Sequence, residues 1–290
     1  MAGKNNWLLG CGIGCLAVIV ITVLGGVLLF NTGKKVVARF EELGDTQRTL
    51  AGRYGEVADY VPLADGVLPT ERVEIFLRVQ DTLQETGRQL VSHGRALKDL
   101  EHQKGKGIGP GGILRGIRGV VGIGRSATEY LQERNEALLA AEMGLGEYTY
   151  LYVLGYHSWL GRSFDPTFGE PSTRVNTEHG ARIEIGDRDD ERRAERLQGL
   201  FRGWAANQHQ AATAAGLDAA WCETLAAEAL AAASADSLRL PWTGGLPATL
   251  TAGLEPFRAR FEATYLPLDP LVGVGVEQEG GDEGFDFNIE

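Results

Sequence analysis

Residues 36–61, VVARFEELGDTQRTLAGRYGEVADYV, decide what kind of fold this chain adopts. Apolar side chains recur at Val36, Phe40, Leu43, Leu50, Tyr54, Val57 and Val61, with Gln47 the one polar member of the series. The steps alternate four and three, which places all of them on one face of an α-helix and makes a heptad seam. Gly44, Gly52 and Gly55 each weaken such a helix by up to about 1 kcal/mol relative to Ala. Packing against neighbouring helices must therefore supply its stability.

Upstream, Trp7 to Phe30 (WLLGCGIGCLAVIVITVLGGVLLF) is a run of 24 residues without a charge, with Lys4 before it and Lys34, Lys35 and Arg39 after it. At about 1.5 Å of rise per residue it reaches roughly 36 Å, enough to cross a hydrocarbon core of about 30 Å. It reads as a single transmembrane anchor. A cleaved signal peptide has a shorter apolar core, of about 7–15 residues. A lipoprotein would carry its apolar run before Cys11, whereas here the run follows it. Gly10 and Gly14 lie four apart and give the span a small face, on which two copies of the helix can approach and form a homodimer. A short tail ahead of a first hydrophobic segment stays inside, which puts the soluble domain on the extracytoplasmic side of the cell membrane. The one-charge excess of basic groups beyond the span points the other way.

Downstream, the pattern stays helical. PLADGVLP (62–69) is a connector, and Thr70 is a candidate N-cap with Glu71 and Glu74 in the first turn. A helix over 70–103 then places Phe76, Leu83, Leu90 and Leu97 at intervals of seven, with Gly87 and Gly94 on the same face as candidate points of close helix packing. Residues 104–125 hold nine glycines and no acid. Ser126 and Glu129 form a capping box for a next helix, whose seam runs Leu131, Arg134, Leu138, Ala141, Leu145, Tyr148, Tyr152, Gly155, Trp159. A small hairpin is expected around Glu178-His179-Gly180. Helix resumes near Asp189, with Gly216 as its C′ residue and Asp218 as the N-cap of another. Fifteen of residues 205–235 are alanine, which suits close helix packing. A last helix runs to about Tyr265 with a kink at Pro256.

The expectation is thus an all-α protein. An N-terminal single transmembrane helix (1–31) precedes a soluble bundle of five or six helices with long antiparallel members. The membrane-proximal part is 32–160 with a Gly-rich basic insert at 104–125. An irregular connector (161–188), an Ala-rich helical region (189–275) and an acidic disordered tail (276–290) follow.

Charge narrows the partners. The net charge of −11 argues against nucleic acid. It is unevenly spread: residues 31–130 carry 15 basic and 13 acidic groups, and residues 131–290 carry 12 and 26. The half nearer the anchor is the half an anionic bilayer tolerates. Within it, Ile113, Ile117, Val120 and Val121 share one side of a helical wheel, and Arg115, Arg118 and Arg125 cluster on another. That is a candidate membrane-surface segment, which the four glycines at 116, 119, 122 and 124 would keep from folding in water until it meets lipid. The alternative is a flexible loop folded onto the core.

No motif names a reaction. Gly107 to Gly112 spells G-x-G-x-x-G, but a helix precedes it and no βαβ pattern surrounds it, so no nucleotide cofactor is expected. The histidines at 93, 102, 157, 179 and 209 show no metal-ligand spacing. Asp187, Asp189 and Glu191 lack the turn glycine of a calcium loop, so no metal is expected either. Cys222, the one cysteine beyond the apolar run, has no intramolecular partner. Two function classes remain. One is a membrane-tethered interaction domain, a scaffold or sensor with an unidentified protein partner. The other is a membrane-anchored enzyme whose site is assembled from distant residues, with Glu129, Glu133, Arg134, His157 and Trp159 as its lining.

Overall fold

The computed structural model describes the backbone of residues 42–102, 110–163, 173–176, 182–185 and 187–268. Side chains are described over 42–95, 125–163 and 194–268. The chain divides into two compact units, Met1–Gly44 and Asp45–Glu290. The expected anchor, with Gly10 and Gly14, and the acidic tail lie outside the described residues. Among the described residues no helix is long and apolar enough to cross a membrane.

The first helix, α1, is described over 42–54. It stops short of Val61, where the heptad pattern extends, because Gly55 turns left-handed (φ +82°) while its N–H still donates to Ala51 O. A 3₁₀ turn, Val57–Asp59, follows, tied by the Glu56 N–H donating to the Asp59 carboxylate at 3.0 Å. Helix α2 is Thr70–Thr82 and α3 is Gln84–His102. Thr70 does not cap α2. Pro69 holds the N-cap position, and its carbonyl receives Arg72 N and Val73 N. Nor is 70–103 one helix: Leu83, at φ −79° and ψ −1°, interrupts it while its side chain is wholly buried. Phe76, Leu83 and Leu90, seven apart, are all buried, and Leu83 N on Val79 O and Gly87 N on Leu83 O carry the hydrogen bonds across the interruption.

Helix α4, Pro110–Ala140, corrects the reading of the glycine-rich insert. The expected capping box is absent: Ser126 lies in mid-helix, and its hydroxyl meets His93 Nδ1 at 2.9 Å. Residues 110–125 are helical because they prolong a helix already formed over 126–140. Each further glycine then pays only a propagation cost and not the cost of nucleation. Helices α3 and α4 are antiparallel neighbours. His93 meets Ser126 and Thr86 meets Glu133, and the residue numbers of each pair total 219. Helix α4 ends in a Schellman motif with Met143 N on Leu138 O, Glu142 N on Leu139 O, and Glu142 left-handed at φ +51°. This divides the seam expected to run from Leu131 to Trp159.

Beyond the break lies the core. Helix α5, Leu145–Tyr152, passes into a π-helical stretch, Val153–Trp159, and nearly every residue of the two is buried. Tyr148, Tyr152 and Tyr156 follow at intervals of four. With Phe76 and Phe261 they form a contiguous aromatic cluster with centroid spacings from 4.7 to 6.2 Å. Gly155 admits the Phe261 ring: a Cβ there would lie 2.2 Å from Phe261 Cε1.

The expected minor hairpin is present, as β1 (Thr173–Asn176) antiparallel to β2 (Arg182–Ile185) with Val175 opposite Ile183. Helix α6 is Asp187–Ala214 and α7 is Ala219–Ala233, joined as the sequence indicates. Gly216 closes a second Schellman motif, and the Asp218 carboxylate accepts from Ala220 N and Trp221 N. Helix α8 (Ala248–Leu254), a 3₁₀ turn at Glu255–Phe257 holding Pro256, and α9 (Arg258–Thr264) complete the described fold. The fold of the described residues is therefore all-α apart from this one hairpin.

Candidate functional site

The segment after the 3₁₀ turn alternates outward and inward. Val61, Leu63 and Val67 are 46, 45 and 53% exposed, while Pro62, Gly66 and Leu68 are buried. Side chains from α6 and α7 fix its backbone and that of the turn before it. Trp204 Nε1 donates to Val57 O at 3.3 Å, Gln208 Nε2 to Leu63 O at 2.8 Å, and Trp221 Nε1 to Ala64 O at 2.7 Å. A tight turn at Ala64-Asp65 is closed by Gly66 N on Leu63 O, and Asp65 Oδ1 accepts from Val67 N. Only glycine serves at 66: its φ is +66°, and a Cβ would sit 2.5 Å from the Trp221 ring. On the other side Leu68 lies against Gly253 of α8. The apolar ridge is thus held rigid from behind and open to solvent in front. Exposed apolar groups on a pinned backbone bind without an ordering cost.

Beside the ridge is a cavity of about 290 Å³ lined by Tyr60, Leu63, Leu68, Arg72, Glu147 and Leu151, among others. Its polar end is a bidentate ion pair. Arg72 Nε donates to Glu147 Oε1 at 2.7 Å and Nη2 to Oε2 at 2.5 Å. The Arg72 Nη2 also reaches Glu142 O at 3.2 Å, which satisfies a carbonyl at the end of α4. The carboxylate bond raises the Arg72 pKa, so the guanidinium stays charged. Burial, and then the Tyr150 hydroxyl, drive the Tyr60 pKa far upward, so its phenol stays neutral. The cavity offers apolar walls with one neutralised polar end, suited to an apolar side chain. A broader groove between α2 and α4 carries Glu133, Glu136 and Glu142 against Arg78. Among the described residues no group of three His, Cys, Asp or Glu side chains is placed to hold a metal ion.

The residues nominated for a distributed enzyme site lie in separate surroundings. Arg134 is 1% exposed, with Nε and Nη2 on Asn135 Oδ1 at 3.4 and 3.3 Å. Glu129 pairs with Arg125 at 2.9 Å, and Glu133 accepts from Thr86 Oγ1 at 2.5 Å. Trp159 stacks edge-on to Phe261 beneath the Arg258 guanidinium. His157 is buried, donating from Nδ1 to Arg162 O at 2.9 Å and packing on Tyr152 and Tyr265. Neither the cavity beside the ridge nor the α2–α4 groove is lined by Arg134, His157 or Trp159.

Burial lowers the His157 pKa below the ordinary 6.5. The unfolded chain therefore binds this proton more readily than the folded one. The stability contributed by neutral His157 is complete above pH 6.5 and is lost as pH falls through the lowered value. Urea titrations across that window should show the loss in the parent protein and a flatter profile in His157→Gln.

The packing candidates have different surroundings. A Cβ on Gly87 would come within 2.3 Å of Leu266 Cδ1 and 3.5 Å of Tyr130 Cε2. The nearest neighbour there is thus a side chain from the segment after α9, with Leu268 of the same segment and Tyr130 of α4 next. Gly94 lies on α3 and is half-buried. Ile113, Arg115, Ile117, Arg118, Val120 and Val121 fall on the helical backbone of α4, and Arg125 is exposed.

In the sequence Val61 reads as the last member of the first heptad seam and 62–69 as a connector, so the ridge is not marked there; Val61 is instead 46% exposed. Its signal is three large apolar residues interleaved with Pro, Gly and Asp, which a solvated loop has no need of. Compared with protein-family models, with curated proteins and with solved structures, the chain has no significant match.

Proposed function

We propose that the chain is a membrane-tethered helical interaction domain, a scaffold or sensor. Trp7–Phe30 anchors it in the cell membrane, with the domain on the extracytoplasmic face and the Gly10/Gly14 face available for dimerisation. Its partner is a protein that lays an apolar surface on Val61, Leu63 and Val67 and inserts a side chain into the cavity between Tyr60 and Leu151. The observation that carries this reading is the pinned ridge. Two long-range hydrogen bonds fix the backbone that carries these exposed apolar side chains, and a third fixes the turn before it, an arrangement that folding alone does not reward.

The test is the triple substitution Val61→Asp, Leu63→Asp, Val67→Asp in the full chain. The replaced side chains are about half exposed and the pinning bonds run to backbone, so stability should change by about 1 kcal/mol or less per site. Proteins that copurify with the parent after mild cross-linking should be lost from the variant. Retention of all of them by a normally folded variant contradicts the proposal.

A further inference from the structure

Behind the ridge lies a cavity of about 10 Å³, walled in part by Pro62, Phe201 and Leu225. Tyr150, Gln208, Glu228 and Trp242 also line it, and each carries a polar group. Trp242 is held there against its backbone preference: at φ +57° it is left-handed without being glycine. Its N–H donates to Glu228 Oε1 at 2.7 Å, and its ring stacks on Trp221 with centroids 6.3 Å apart. These two contacts fix it in that conformation.

The Tyr150 hydroxyl is the group that the protein leaves unserved. The residue is 3% exposed, and among the described residues its hydroxyl has no hydrogen-bond partner. Native proteins rarely bury a polar group in that state without water to satisfy it. Burial drives the Tyr150 pKa far upward, so the phenol is neutral and has a proton to donate. The Trp242 side chain opposes that rise without reaching hydrogen-bond geometry, and the Glu228 carboxylate adds to it, so both are close to the hydroxyl. An indole N–H is a donor only and cannot take the phenolic proton. Acceptors remain on the other two polar residues. Glu228 Oε1 receives both Arg239 Nη1 and Trp242 N, whereas Oε2 receives Arg239 Nη2 alone and keeps a lone pair. Gln208 donates from Nε2 to Leu63 O, which leaves its amide oxygen as an acceptor.

We propose that this cavity binds one structural water, which accepts the Tyr150 O–H and donates to Glu228 Oε2 and Gln208 Oε1. Three hydrogen bonds are the usual complement of a buried water. A compact space of this size is about 2.7 Å across, no wider than the separation of two hydrogen-bonded waters, so it takes one. Ions of similar size fit the charges less well. A cation would sit beside a carboxylate that Arg239 already neutralises, and an anion would face that carboxylate directly. Because Gln208 also holds Leu63 O, the water joins the Glu228–Arg239 pair to the support of the ridge. The inference does not depend on what docks there.

The test pairs a crystal structure of the full chain that resolves ordered water with thermal unfolding of the full chain and its Tyr150→Phe variant in one detergent. A single peak of density is expected within about 2.5–3.0 Å of both Tyr150 Oη and Glu228 Oε2. The substitution keeps the ring and removes only the hydroxyl, and the variant should melt about 2–4 °C lower, the shift that losing one net hydrogen bond produces. A melting temperature that is unchanged or raised means the hydroxyl had no partner to lose, and overturns the proposal. A cavity without density, or a Tyr150 hydroxyl bonded directly to a protein atom, overturns it as well.

Discussion

Glu228→Ala should lower the free energy of unfolding by about 3–5 kcal/mol, the cost of breaking a buried ion pair by removing one partner. The Glu228 carboxylate is 8% exposed and accepts three short hydrogen bonds. Two come from Arg239 Nη1 and Nη2 at 2.6 and 2.7 Å, and one from Trp242 N at 2.7 Å. Arg239 N in turn donates to Gln198 Oε1, and Gln198 Nε2 to Ala232 O, so one network ties α6, α7 and the segment before α8. Removing the carboxylate strands a guanidinium whose side chain is only 21% exposed and leaves a buried N–H without its acceptor. Even without that carboxylate an arginine keeps its proton at neutral pH, so the guanidinium cannot escape by becoming neutral. The surface pair of Arg260 with Asp81, at 42 and 52% exposure, is the contrast: Asp81→Ala should cost less than about 1 kcal/mol. Urea titrations of the three proteins, with slopes unchanged, provide the comparison.

Phe76→Ala should cost a similar amount, about 3–5 kcal/mol, for a different reason. Phe76 is wholly buried on α2, with ring centroids 5.5 Å from Tyr148, 6.1 Å from Tyr156 and 5.6 Å from Phe261. It is the point at which α2, the α5–π-helical segment and α9 meet. Those neighbours are large and interlocked: Tyr152 donates to Leu266 O, and the hydroxyls of Tyr156 and Thr264 bond at 2.8 Å. They have little freedom to close the void, so the cavity persists and its cost is added to the lost transfer energy. A loss under about 1 kcal/mol would mean that the cluster rearranges.

What was legible in the sequence was local chemistry. Gly216 and Asp218 mark a helix end and the next start because the left-handed turn and the cap are made within six residues. Pro256 marks its kink because it lacks an N–H. The hairpin register follows from alternation across four residues. The departures have distant causes. Glu142 adopts a left-handed backbone although it is not glycine, and its carbonyl is held by Arg72, seventy residues away. The start of α4 was hidden by glycines whose cost the rest of the helix absorbs. The ridge at Val61, Leu63 and Val67 is fixed by Gln208 and Trp221, about 150 residues downstream, and no local pattern announces that. Arg134 stands out as a polar residue in an apolar seam, a true signal of burial that carries no information about chemistry.

The ridge is tested most directly by photo-cross-linking in intact cells, with a photoreactive side chain at Leu63, at Val67 or at Leu230. Leu230 is more exposed than either ridge residue but stands apart from the ridge, so it controls for exposure alone. If the domain docks a partner on this ridge, Leu63 and Val67 give the same discrete, light-dependent adduct, and Leu230 does not. Identical adducts from all three positions, or none from Leu63 and Val67 in a folded and membrane-retained protein, would contradict it.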